Sequence, residues 1–227
     1  MIKRLKQTDK LQQSILFFII IGFAIILLAL RIHKTNSILF LFLIWNIFLA
    51  TIPWILSSLL IIYPKLRKRY SILLPTGIIW ILFIPNTFYI ITDLFHLSYK
   101  NLAPVWYDFM LIFTFAWAGI MLGFTSIKDF EIILYEKVNK KIVPIFITLI
   151  LFLISFGIYL GRFLRWNSWN IINEPANLFY DITHRITNPF SHPKTWGITI
   201  LAGILLNIIW WSLKLFKNSS MNYLNNS

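Results

Sequence analysis

Residues 11–30 read LQQSILFFIIIGFAIILLAL, twenty positions without a single Asp, Glu, Lys or Arg. A helix rises 1.5 Å per residue, so about 20 residues cross a hydrocarbon core of roughly 30 Å. Lys3, Arg4, Lys6 and Lys10 precede the run, and Arg31 and Lys34 follow it. A secretory leader would have a shorter apolar stretch and small residues at a cleavage point. This run ends LLALRIHK, has neither feature, and reads as a retained membrane helix.

Four more runs, 38–63, 109–127, 142–160 and 195–213, are equally free of Asp, Glu, Lys and Arg over at least 19 positions. A sixth, 71–92, is also uncharged but carries Pro75 and Pro85. Only 13% of the chain is charged, against about 25% in water-soluble domains. That is too little to cover a water-facing surface. The expected fold class is all-α: a polytopic membrane bundle of six transmembrane helices in one domain, 1–215. The polar stretch 216–227 is expected to be a disordered tail.

The net charge of +13 could point to nucleic acid, but its distribution does not. Threaded through six spans, 14 of the 21 basic residues fall on the side of the N-terminus and 7 on the other. Lys and Arg in short loops favour the cytoplasm, so both termini are expected inside. The positive charge then serves topology and contact with anionic lipid, and nucleic acid is not a partner. With no cysteine, disulfides, thiolate metal sites and redox motifs are excluded.

The sixth run holds the polar residues of interest. Ser71 to Ile84 is 14 residues, ~21 Å of helix, which is short of a full crossing. The third helix is therefore expected to break at Pro85, which removes a backbone hydrogen bond, and to continue beyond it. If 86–100 is α-helical, Asn86, Tyr89, Asp93, His96 and Lys100 fall within about an 80° sector. Such a stripe must face protein, water or headgroups rather than lipid.

Two other segments arrive on the same face under this topology. PVWYD brings Trp106, Tyr107 and Asp108 to the start of the fourth span, and GRFLRWNSW brings Arg162, Arg165, Trp166 and Trp169 to the end of the fifth. The candidate ligand-binding set is Asn86, Tyr89, Asp93, His96, Tyr107, Asp108, Arg162, Arg165, Trp166 and Trp169. Asp93 and Asp108 opposite Arg162 and Arg165 admit two readings. One is a closed ion-pair network locking helix ends. The other is a set of arginine forks with room for a phosphate or carboxylate, either a small anion or a lipid headgroup.

Other chemistries have less support. Asp93 and His96 lie three apart, but no recognised metal-ligand spacing accompanies them, so no metal and no cofactor is expected. His33, His184 and His192 read as loop or surface residues. No nucleophile motif is present, and no catalytic residue is assigned. A membrane-embedded enzyme acting on lipid headgroups, with Asp93 and His96 as acid and base, is an alternative, as is an accessory subunit. Residues 175–187 have the spacing of an amphipathic helix between spans five and six. Gly119 and Gly123 form a G-x-x-x-G packing pair.

FIPNTFYIITDLFHL, PVWYD followed by FAWAG, and GRFLRWNSW together resemble the motifs of the DUF1361 family of bacterial multi-pass membrane proteins. The resemblance covers nearly the whole chain. It implies an integral membrane protein of this size and no particular activity.

Overall fold

The computed structural model describes residues 8–98, 102–166 and 170–225, with the backbone alone at 96, 98, 172 and 217–225. No strand occurs among the described residues. The helices are α1 (Lys10–Thr35), α2 (Phe42–Ile62), α3 (Pro64–Lys68), α4 (Tyr70–Phe83) and α5 (Pro85–Tyr89), then a 3-10 helix (Ile90–Ser98). They continue with α6 (Val105–Lys137), α7 (Val143–Phe163), α8 (Asn170–Asn173) and α9 (Pro175–Thr187). A 3-10 turn (Pro189–Ser191) and α10 (Pro193–Asn225) complete the chain. Six segments are long and apolar enough to cross a membrane: α1, α2, residues 70–95, α6, α7 and α10 as far as Phe216. As traced, α10 runs on past Phe216, into the stretch whose polar composition alone predicts disorder.

The chain forms two compact units, one ending at Val138 and the other beginning at Asn139. In the first, α1 buries one stripe and leaves the rest apolar and bare. On α1, Phe17, Ala24, Leu28 and Arg31 are buried, while Phe18 stays 81% exposed among other bare isoleucines and leucines. Water would penalise so large an apolar surface; lipid tails would not. Helix α6 is the hub, with Leu111, Phe115, Ala118 and Leu122 packed into a core that includes Phe17 of α1 and Leu43 and Ile47 of α2.

Small residues let α6 accept its neighbours. A Cβ at Gly119 would collide with the Thr87 carbonyl, and one at Gly123 with the Thr87 hydroxyl and the Phe88 ring. The G-x-x-x-G pair thus seats the single turn α5 against α6. Two ion pairs then lock α1 against α6. Lys10 pairs with Asp129 and Arg31 with Asp108, so the two helices run antiparallel. Lys10 to Arg31 and Asp108 to Asp129 are the same interval, 21 residues, or ~32 Å of helix. That matches the roughly 30 Å hydrocarbon core, and nearly the whole interval on each helix is uncharged.

In the second unit α7 and α10 pack together, with Gly203 against the Phe152 ring. Two tryptophans fasten α9 at the ends of these helices. Trp166 Nε1 donates to Asp181 Oδ2 at 2.8 Å, and Trp196 Nε1 donates to the Arg185 carbonyl at 3.1 Å. The burial of α9 does not divide apolar from polar residues. Leu178, Asp181, Ile182 and Arg185 are half-buried, whereas Phe179 and Ile186 are exposed.

Candidate functional site

The predicted polar stripe on 86–100 assumed one continuous α-helix, and the backbone departs from that. Asn86 and Tyr89 belong to α5, whereas Asp93 lies in the 3-10 helix from Ile90 onward. At three residues per turn, positions three apart eclipse, so Asp93 stands over Ile90. Asn86 turns inward on its own chain, its amide donating to the Phe83 carbonyl at 3.0 Å. Lys100 and Trp169, and the side chain of His96, lie outside the described residues.

What gathers in the first unit is a set of three buried polar levels. At the Arg31 end, the guanidinium grips Asp108 as a fork: Nε donates to Oδ1 at 2.7 Å and Nη2 to Oδ2 at 3.2 Å. Its carbon sits 4.4 Å from the centre of the Phe40 ring, where a cation is attracted to the aromatic face. Arg31 is 1% exposed, yet among the described residues its Nη1 has no hydrogen-bond partner. Beside this fork the Tyr107 hydroxyl donates to the Leu27 carbonyl at 2.8 Å, in the preceding turn of α1.

The middle level is Asp93, Asn46 and Tyr89. Asn46 Nδ2 donates to Asp93 Oδ2 at 3.0 Å, and the Tyr89 hydroxyl donates to Asn46 Oδ1. Both Asp93 and Asn46 are buried. The sequence reading put Asp93 in a connection at one membrane face. Its partner Asn46 instead stands 11 residues along α2 from Ser57, which contacts Asp129. That is ~16 Å, about halfway between the two ion pairs. A carboxylate in so apolar a setting is costly unless it is hydrogen-bonded, as Asp93 is by Asn46.

The third level closes the Lys10 end. Lys10 Nζ donates to both oxygens of Asp129, at 2.7 and 2.6 Å, and to Gln13 Oε1 at 2.9 Å. Ser57 Oγ donates to Asp129 Oδ2 at 2.8 Å. Ser126 Oγ lies 3.1 Å from Ser57 Oγ and 3.0 Å from the Pro53 carbonyl, and receives Trp80 Nε1 at 2.7 Å. Indole, two hydroxyls, carboxylate and ammonium thus form one connected chain.

Asp108 is held by Arg31, and Asp93 bonds Asn46, both within the first unit. Arg162 and Arg165 belong to the second unit. Arg162 is half-buried; Arg165 is exposed and adopts a left-handed backbone, φ 60°. That turn folds the chain back so that the Trp166 N–H reaches the Leu160 carbonyl at 3.1 Å. Sequence reasoning passed over Arg31 and Lys10 because each borders an apolar run, where a topology signal explains it. The matching 21-residue intervals were the available clue.

Residues 45–209 match the model of a family described as a protein of unknown function, DUF1361. No curated protein and no solved structure matches the chain.

Proposed function

We propose that this chain, which belongs to the DUF1361 family, binds or passes a small anionic or lipid-derived ligand across a bacterial cell membrane. Both termini are cytoplasmic in this reading, the third helix breaks at Pro85, and the Arg31 end of the first unit is the outer end. The supporting observation is the spare Nη1 of a guanidinium that is otherwise fully engaged and buried. Leaving a buried donor unmade costs about 1–3 kcal/mol, and more for a charged group. One phosphate or carboxylate oxygen would satisfy it, with Asp108 and Phe40 holding the guanidinium plane in position. Tyr107 forms the rim of this site. The Asn46–Asp93–Tyr89 level lies deeper, where a permeating proton or ion would meet it. Arg162 and Arg165 are a second, separable place for a headgroup.

The test uses the full chain in nanodiscs, with inorganic phosphate and phosphatidylglycerol as separate probes. Arg31→Lys keeps the charge and removes the fork, and is expected to weaken one probe by roughly tenfold, or 1.4 kcal/mol. The paired change Arg162→Ala and Arg165→Ala should leave that probe's affinity unaltered. Wild-type affinity for both probes in Arg31→Lys would end the reading. A structural scaffold is the second reading, favoured by the closed Arg31–Asp108 fork. It expects Arg31→Lys to lower thermal stability while neither probe binds the wild-type chain.

A further inference from the structure

The two imidazoles at residues 184 and 192 are separate in sequence and joined in space. His184 Nδ1 lies 2.9 Å from His192 Nε2, with the ring centres 5.0 Å apart and the planes at 71°. His184 is on the last turns of α9 and is exposed; His192 precedes α10 and is half-buried. The arrangement is braced from several sides. The Tyr180 ring stacks on His184 at 5.7 Å. The Asn188 N–H donates to the His184 carbonyl at 3.1 Å, and the His192 N–H donates to the Pro189 carbonyl at 3.1 Å. Trp196 Nε1, one turn past His192, ties α10 to the carbonyl of Arg185, the residue next to His184.

We propose that this pair is a two-imidazole chelating site for a late first-row dication such as Cu2+, Ni2+ or Zn2+, bridging α9 and the start of α10. Imidazole nitrogen binds such ions at about 2.0–2.1 Å. Two nitrogens at right angles on one ion are therefore about 2.9 Å apart, and two in a tetrahedral set about 3.3 Å. The observed spacing already has the bite of the right-angled arrangement, which Cu2+ and Ni2+ prefer. Without metal, the same spacing accommodates one N–H···N hydrogen bond. Chelation requires the donating ring to move its proton to its other nitrogen, a tautomer change with no net loss of protons. The exposed His184 edge lets the ion arrive from solution, and water completes the coordination. Among the described residues no third His, Asp or Glu joins the pair, so the affinity is that of a bidentate site.

Cu2+ titration of the full chain in detergent, followed by electron paramagnetic resonance, tests this. The wild type is expected to show one bound ion with hyperfine structure from two imidazole nitrogens. His184→Ala and His192→Ala should each lose one nitrogen and bind Cu2+ roughly tenfold more weakly or worse, since a ligand contributes no less than its own hydrogen-bonding support. His33→Ala, on the other unit, should behave as wild type. A two-nitrogen signal that survives in His184→Ala overturns the proposal. So does an affinity within about threefold of wild type in both variants, which would make the contact a hydrogen bond only.

Discussion

The two ends of the first unit solve one problem differently. Both hold a cation of α1 against an aspartate of α6 inside the fold. At the Lys10 end the ammonium has three oxygen partners, and the carboxylate also takes a serine. At the Arg31 end the fork is closed, an aromatic ring covers the guanidinium, and one nitrogen is left over. An ammonium is a compact charge that any oxygens can surround; a guanidinium is a planar fork with more donors than one carboxylate can use. The difference is one of saturation: the ammonium end is closed, and the guanidinium end keeps one donor over. It also shows why an ion pair alone does not identify a site: the informative quantity is what each partner leaves unmade.

This comparison is open to measurement, most strongly at the saturated end. Asp129→Ala leaves the Lys10 ammonium buried without its counter-ion, and should cost about 3–5 kcal/mol in reversible unfolding of the chain in bicelles. Asp108→Ala should cost less, by about 1–2 kcal/mol, because Phe40 still faces the guanidinium. Equal losses at the two sites would erase the distinction between the ends. Replacing Ser126 by Ala orphans the Trp80 indole N–H and should cost about 1–3 kcal/mol. The same variant should shift Trp80 fluorescence, and an unchanged spectrum would contradict the connected chain of donors. The smallest effect is expected at the exposed pair of Arg67 and Glu136, 2.6 Å apart. Glu136→Ala should change stability by no more than about 1 kcal/mol and less at high salt.

Much of the helical scaffold was legible because lipid imposes a coarse requirement on sequence. Each uncharged run of about 20 residues has to satisfy its own backbone, and a helix does so within the segment. The runs at 11–30 and 109–127 therefore lie within α1 and α6, the latter continuing ten residues further to Lys137. The region after Pro85 was harder. Composition shows that Asn86, Asp93 and His96 are polar, but their directions depend on whether the chain winds at 3.6 or 3.0 residues per turn. A 3-10 segment is chosen by its packing against α6, where Gly119 and Gly123 admit α5, and no local propensity announces it.

Of the polar contacts in the first unit, the sequence pointed to the acids and tyrosines and not to the groups they meet. Asp93 and Asp108 take part in buried hydrogen bonds of the first unit, and Tyr89 and Tyr107 in half-buried ones. Of their partners, Asn46 was not singled out in the sequence and Arg31 was read as a topology signal; Arg162 and Arg165 belong to the other unit.

Hydrophobicity is summed along the chain, and for that reason the sequence by itself determined that this is a helical protein with six apolar segments long enough to span a bilayer. Which polar residues meet is a matter of a few ångströms between segments up to 119 residues apart. Only the tertiary structure decided that Lys10 faces Asp129, that Arg31 faces Asp108 with one nitrogen to spare, and that His184 comes within reach of His192. Hydrogen bonds and metal bonds depend on distance and direction, and those are set by packing rather than by composition.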